Sequence, residues 1–267
     1  MNDLLPEQRR KHILDRLKAD GTVRVAALAT ELAVTEETVR RDLKSLDHQG
    51  IVVKTHGGAS LADRPDSTPH IPLHADVSFE DRRRAMSFAK RAIAREAYTR
   101  VRAGQVIALD GSTTAWELAC LLDLPRLTVV TNSLVITNLL ATRGGVQVIC
   151  PGGTLDPRLQ MFGGIIAEQA LQRLQIDQAF ISCAGIDADR GLSDPSDSAA
   201  QFKRRLLDIA DHTILLADST KLNRKAVVFF AGPTDVNELI VDEAPAVEVA
   251  IQKLRQLGLS CSTVRAS

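Results

Sequence analysis

The stretch Val34-Thr35-Glu36-Glu37-Thr38-Val39-Arg40-Arg41-Asp42-Leu43-Lys44-Ser45-Leu46 decides the fold of the amino-terminal part of this chain. Thr35 is a natural N-cap, because its hydroxyl can accept a bond from the unpaired amides of a first helical turn. Glu36 and Glu37 follow where the helix dipole favours negative charge. Val39, Leu43 and Leu46 recur at helical spacing and mark a buried stripe. Thr38, Arg40, Arg41 and Lys44 are then left as donors on an exposed face.

Val25 to Leu32, with Leu28 and Leu32 on one side, predicts a preceding short helix. Only Ala33 and Val34 separate it from the Thr35 cap, which is the compact spacing of a helix-turn-helix. Glu7 to Ala19 predicts an earlier amphipathic helix carrying Ile13, Leu14 and Leu17. Downstream, Gln49-Gly50, the β run Ile51–Lys54 and Thr55-His56-Gly57-Gly58 supply the turns and strand of a wing. Three helices and a wing predict a winged helix-turn-helix over residues 1–60. Its candidate contacts to double-stranded DNA are Thr35, Thr38, Arg40, Arg41, Lys44 and His56. The guanidinium groups suit guanine edges or phosphates, Thr35 and Thr38 phosphate or a thymine methyl, Lys44 phosphate, and His56 the backbone or minor groove. A single wing-helix reads only a few base pairs, so specific binding implies a homo-oligomer, a dimer or tetramer.

Bulk charge adds nothing to this reading. Lys+Arg and Asp+Glu both number 33 in 267 residues, and the first sixty residues hold ten basic against nine acidic side chains. Any DNA affinity therefore comes from where charges sit. Four cysteines lie scattered without a C-x-x-C pair, and His70 and His74 sit among Pro65, Pro69 and Pro72. The sequence thus calls for no metal and no cofactor. It shows neither a signal peptide nor an apolar run of membrane-spanning length, so a cytoplasmic protein with reduced thiols is expected.

Residues 61–78, with three prolines among polar residues, have linker composition. Phe79 to Val101 predicts one helix. Beyond Gln105, apolar runs at Val106–Leu109, Leu127–Val130, Val146–Cys150, Ala179–Cys183 and Thr213–Ala217 predict buried strands. Thr114–Leu122, Leu134–Thr142, Ile165–Leu174 and Ser198–Asp211 predict the intervening helices, and Glu238–Val241, Val247–Leu257 and Leu259–Val264 close the pattern. Strand–helix alternation over residues 79–267 predicts an α/β domain, Rossmann-like, with a mainly parallel sheet covered on both faces.

Ligands bind at the carboxyl ends of strands in such sheets. Asp110-Gly111-Ser112-Thr113-Thr114 follows the first strand and opens a helix, so small residues, hydroxyls and a helix N-terminus favour a phosphate there. Asn132 and Ser133 follow the second strand, and Gly152 and Gly153 the third. Lys221 follows the fifth strand and Lys203 lies early in a helix. Either lysine suits a phosphate or a hydroxyl, and surface exposure is the plainer expectation for each.

The run T-E-E-T-V-R-R-D-L (residues 35–43) followed by T-H-G-G-A (55–59) resembles the DeoR family of bacterial transcription regulators. The order D-G-S-T-T, T-N-S, P-G-G-T, G-I-D and D-S-T-K resembles that family's carboxy-terminal sensor domain, which is similar in fold to ribose-5-phosphate isomerase and glucosamine-6-phosphate deaminase. The resemblance implies a regulator of a sugar-catabolism operon, a repressor by family precedent. It implies a phosphorylated-sugar effector bound through Gly111–Thr114, Asn132–Ser133, Gly152–Gly153 and Lys221. Ile181–Asp187 and Trp116 look closest to L-fucose-type regulators, pointing to a deoxyketohexose 1-phosphate. Many family members carry glutamate where Ala199 stands, which puts one sugar-hydroxyl contact in doubt.

The alternative is a sugar-phosphate isomerase or deaminase fused to a DNA-binding domain. Isomerisation needs a carboxylate base beside the sugar carbon. The isomerase-like domain concentrates acids after its fourth strand as D-G-A-D-E. Here that strand gives F-I-S-C-A-G, leaving Asp110 and Asp187 to cap loops or hold a ligand hydroxyl. No catalytic residue is assigned.

Overall fold

The computed structural model describes residues 6–20, 22–48, 52–55, 57–61 and 78–266. The chain divides into two compact units, Met1–Ser67 and Thr68–Ser267. His56, His70, His74 and nearly all of the expected linker lie outside the described residues.

In the first unit, α1 (Pro6–Asp20), α2 (Val25–Glu31) and α3 (Glu36–His48) pack against three short strands, β1 (Thr22–Arg24), β2 (Val52–Thr55) and β3 (Gly58–Leu61). The strands form one antiparallel sheet in the order β1-β3-β2. Its core is the one the helical periods mark out: Ile13 and Leu17 from α1, Leu28 from α2, and Val39, Leu43 and Leu46 from α3, joined by Val52 and Ala59 of the wing. Strand β1 has no signal of its own in three residues. It exists because Gly58 lets β3 approach: a Cβ there would stand 2.0 Å from the Val23 carbonyl oxygen.

The second unit is a doubly wound α/β domain. Seven parallel strands run in the order β15 (Ser260–Val264), β14 (Glu238–Asp242), β12 (Ala210–Ala217), β9 (Ile176–Ile181), β4 (Val106–Leu109), β5 (Leu127–Thr131) and β6 (Val146–Ile149). Side chains alternate between the two faces and both faces are covered, which is why the central strands β4 and β5 and the carboxyl halves of β9 and β12 read as apolar runs. Ile107 and Leu109 face one layer with α5 (Ser87–Tyr98), α6 (Thr113–Leu121) and α7 (Leu134–Ala141). Ala108 faces the other, with α8 (Ile165–Leu171), α9 (Asp197–Ile209) and α10 (Glu248–Gln256). The chain moves outward from β4 through β5 to β6, then returns to place β9 on the opposite side of β4. The order therefore reverses between β4 and β9, the position at which open α/β sheets bind ligands.

Three features depart from the expectations. The helix expected over Phe79–Val101 is two helices, α4 (Phe79–Arg84) and α5, meeting at an elbow where Met86 has φ 53°. The elbow is fixed from the side: the buried Lys90 ammonium donates to the carbonyls of Arg82 and Ala85, the latter at 2.6 Å. A hairpin of β7 (Thr154–Asp156) and β8 (Met161–Gly163) follows β6, and a second antiparallel sheet joins β10 (Gly185–Asp187), β11 (Gly191–Asp194) and β13 (Val228–Ala231). Strands of three or four residues are too short for a two-residue period to stand out.

Candidate functional site

Helix α3 presents the face expected of it. Thr35 Oγ1 accepts from the Thr38 amide at 3.3 Å and lies 2.9 Å from the Thr38 hydroxyl, so the two threonines cap the helix jointly. Thr35, Arg40, Arg41 and Lys44 are exposed and Thr38 half-buried. The two arginines differ. Arg40 is engaged by Glu36 at 2.7 Å, whereas Arg41 and Lys44 have no carboxylate partner among the described residues. Asp42, between them in the run, is a structural residue: it is buried and takes the Arg9 guanidinium at 2.8 Å, tying α3 to α1.

In the second unit the loops after β4, β5, β9 and β12 form a polar rim at the switch point. Asp110, fully buried, is its centre. One carboxylate oxygen accepts from the Ser112 amide at 3.1 Å, and the other from the Ser182 amide at 2.8 Å, across the gap between β4 and β9. Ser112 caps α6 by accepting from the Ala115 amide, and Ser133 caps α7 by accepting from the Ile136 amide. Thr113, Thr114, Asn132 and Ser133 are buried with them.

The β7–β8 hairpin lies on this rim. The Asn132 side-chain amide donates to the Phe162 carbonyl at 2.8 Å, leaving Asn132 Oδ1 buried without a partner among the described residues. Met161 packs so closely on Gly111 that a Cβ there would stand 1.8 Å from its sulfur. Gly153 has φ +106° and faces the Gly163 carbonyl, whereas Gly152, φ +71°, faces open space. The hairpin was not foreseen. Its signal is the pair of glycine doublets, Gly152-Gly153 and Gly163-Gly164, that bracket it.

Lys203 is not a surface lysine. Only 6% exposed, it sits 2.5 Å from Asp194 and 3.4 Å from Asp110. Burial alone would lower its pKa, but attraction to Asp194 and then Asp110 more than reverses this, and the ammonium is held above its ordinary range. Asp194, which sequence reasoning missed, has no local signal, because its role depends on strand β11 crossing α9. Lys221 is half-buried in a 3-10 turn, Ser219–Lys221, after β12. Burial pushes the neighbouring Asp218 carboxyl up, but Lys221, the Thr220 hydroxyl and Lys90 outweigh it and hold it below the usual range. Cys183 lies among Lys203, Lys221, Asp194 and Asp218, its thiol pushed up to about 12 chiefly by burial. It is a packing residue, since a thiol so raised is not a nucleophile.

Asp187 stands apart in use. Its carboxylate accepts from the Asp189 and Arg190 amides and pairs with Lys225 at 3.0 Å, so it caps the β10–β11 turn. Ala199 is buried on α9, where Ser196 supplies the cap. Neither Asp110 nor Asp187 is left as a free base, since each carboxylate is spent on backbone amides and a lysine. A separate open cleft of about 530 Å³ lies at the amino ends of β4, β9 and β12 between Arg100, Asp177, Gln178 and His212, away from these loops. Arg100 there is already tied to Glu238 at 2.7 Å. Among the described residues no helix is long and apolar enough to cross a membrane.

A winged helix-turn-helix carried on the same chain as a doubly wound domain with a polar switch-point rim defines a one-component regulator, in which one polypeptide holds both a DNA-reading and a ligand-sensing fold. The sequence matches the DeoR-like helix-turn-helix domain over residues 9–65 and the DeoR C terminal sensor domain over residues 86–243. The chain belongs to the DeoR family of transcription regulators. It is 35% identical over 239 residues to YulB, an uncharacterized HTH-type transcriptional regulator of Bacillus subtilis, covering 90% of each chain. It is 34% identical to the L-fucose operon activator of Escherichia coli, covering 88% of this chain and 94% of that one. Among solved structures it is similar to a D-ribose-5-phosphate isomerase in complex with phospho-erythronic acid, at 18% identity and a TM-score of 0.38 over about half of each chain.

Proposed function

We propose that this regulator controls a sugar-catabolism operon in response to a phosphorylated sugar bound at the switch-point rim, with ligand relieving repression. Residues 1–60 act as the DNA-binding domain, 61–78 as the linker and 79–267 as the sensor. Arg41 and Lys44, with Thr35, Thr38, Arg40 and His56, contact the operator in the major groove and its backbone. Two or more copies of the chain read the repeated half-sites, and the protein works in the cytoplasm.

The observation that carries the sensor reading is the buried, incompletely satisfied polarity of the rim. Thr113, Thr114 and Asn132 are buried at the ends of β4 and β5, and Asn132 Oδ1 has no partner among the described residues. A buried acceptor without a donor costs about 1–3 kcal/mol, which a ligand hydroxyl offsets. The N-termini of α6 and α7 add amides suited to a phosphate. Asp110, Gly111–Thr114, Asn132, Ser133, Gly152, Gly153, Lys203 and Lys221 make up the proposed site, and Asp187 is left out of it. The names of relatives, an L-fucose operon activator and a glycerol-3-phosphate regulon repressor, favour sugar phosphates as a class. A deoxyketohexose 1-phosphate is the first to try.

Thermal melting of the full chain against L-fuculose 1-phosphate, fructose 1-phosphate, ribose 5-phosphate and glycerol 3-phosphate tests this. A compound at about 100 times its Kd stabilises by roughly 2.7 kcal/mol. The same compound should release a DNA fragment carrying the operator in a gel-shift assay. No response to any phosphorylated sugar refutes the sensor reading. Turnover of one of them at ordinary enzymatic rates would reinstate the isomerase alternative.

A further inference from the structure

Helix α4 and the β7–β8 hairpin touch beside the rim, and α4 carries a cation with no ion-pair partner among the described residues. Arg82 projects from α4. One guanidinium nitrogen reaches the Leu159 carbonyl of the β7–β8 hairpin at 3.4 Å, and the group lies 5.7 Å from the centre of the Phe79 ring. Its Nε is buried without a hydrogen-bond partner among the described residues. No carboxylate among those residues comes within ion-pair distance of it, although Asp194, Asp110 and Asp156 lie within electrostatic reach. A guanidinium in this state is costly, because burial removes its water while the described residues supply neither an ion pair nor a full set of acceptors.

Two further cations lie nearby and likewise form no ion pair among the described residues. Lys90 bonds only backbone carbonyls, and Lys221 has no side-chain partner among the described residues. The Lys90 ammonium is pushed down to about 8 by burial, with Lys221 and Arg82 adding to the effect and Asp218 opposing it. Lys203, by contrast, is matched by Asp194 and Asp110. The rim therefore has two poles. One holds a neutralised lysine between carboxylates, suited to hydroxyls. The other holds Arg82, Lys90 and Lys221, none of them in an ion pair among the described residues although Asp218 lies within electrostatic reach of both lysines, and it suits an anion.

Arg82 is also built into place. Its own carbonyl is gripped by Lys90, and the helix that carries it is pinned by Phe79 edge-on to Trp116 at 6.5 Å and by Arg83 over the Trp116 ring at 4.9 Å. A planar guanidinium offers paired donors to phosphate oxygens, which an ammonium cannot.

We propose that Arg82 is an effector-binding residue, taking an anionic oxygen of a phosphorylated sugar seated on the rim and so tying α4 to the ligand. The inference rests on the sensor reading of that rim. Residues 62–77 join α4 to the DNA-binding unit, so a ligand held by Arg82 grips the sensor at the point where the linker enters it.

The test is calorimetric titration of the full chain with inorganic phosphate, ribose 5-phosphate, fructose 1-phosphate and L-fuculose 1-phosphate, for wild type, Arg82→Gln, Arg82→Lys and Lys221→Met. Hydrogen exchange of residues 79–90 is followed with and without the tightest binder. Arg82→Gln should weaken every phosphate the wild type binds by tenfold or more, Arg82→Lys by less, and the ligand should slow exchange over residues 79–90 in the wild type alone. If Arg82→Gln binds within twofold of wild type while Lys221→Met loses binding, the sensor reading stands and the role of Arg82 is refuted. If the wild type binds none of the four, both are refuted. Should Arg82→Gln fail to fold, a folded Arg82→Lys with wild-type affinity and unchanged exchange over residues 79–90 overturns the proposal equally.

Discussion

Replacing Lys203 by methionine puts the reading of the rim to its hardest test. Methionine keeps the length and apolar stem of lysine and removes only the charge. Lys203, Asp194 and Asp110 are 6%, 8% and 0% exposed, so solvent cannot screen the two carboxylates once the ammonium is gone. Exposed ion pairs contribute about 0–1 kcal/mol, whereas removing one partner of a buried pair costs about 3–5 kcal/mol. The backbone amides of Ser182 and Ser112 still hold Asp110, which places the expected loss near the lower end, about 3 kcal/mol at neutral pH. Trp116 is the sole tryptophan and lies in the second unit, so urea unfolding followed by its fluorescence reports on that unit alone. Combining Lys203→Met with Asp194→Asn should recover at least about 1 kcal/mol relative to the sum of the single losses. A loss below about 1 kcal/mol refutes the buried-network account.

Other outcomes follow from the same physics. Lys90 has its pKa lowered from 10.5 to about 8 chiefly by burial, so the unfolded chain binds more protons between those values and stability rises with pH there. Against Lys90→Met, wild-type unfolding free energy should gain about 2 kcal/mol between pH 8 and 10, and a flat difference would contradict the burial. Gly153→Ala meets both a φ of +106° and the Gly163 carbonyl oxygen 2.5 Å from the new Cβ. It should cost about 2–3 kcal/mol by calorimetry, and an unchanged melting temperature would show that the hairpin gives way. Arg41→Ala should weaken operator binding about tenfold or more in gel shifts at fixed salt, while Arg24→Ala, outside α3, should have little effect. Equal effects would remove Arg41 from the recognition face.

The DNA-reading helix was legible because its signals are local. Cap, dipole charges and apolar stripe all fall within thirteen residues, and the core of the first unit uses the residues that stripe named. The parallel sheet was legible because strands buried on both faces must be apolar throughout. The elbow at Met86 was not, because an unbroken helical period runs across it and the break is held by Lys90 bonding back to carbonyls of the preceding turn. Lys203 was recognised as a candidate but not as part of a buried triad, since Asp110 lies in a different βα loop and Asp194 on a strand too short to announce itself.

The sequence by itself determined the order of the long helices and of the main-sheet strands, the face that each long helix buries and the loops proposed to hold the effector, because these depend on periods and caps within a few residues. Only the tertiary structure decided which charges meet. It gave Lys203 its two carboxylates, tied Arg40 to Glu36 while leaving Arg41 without a carboxylate partner among the described residues, and left Arg82 Nε buried without a hydrogen-bond partner among them. The value of a charge depends on its distance to the next one and on the water excluded between them, and both are fixed by contacts between residues far apart in the chain.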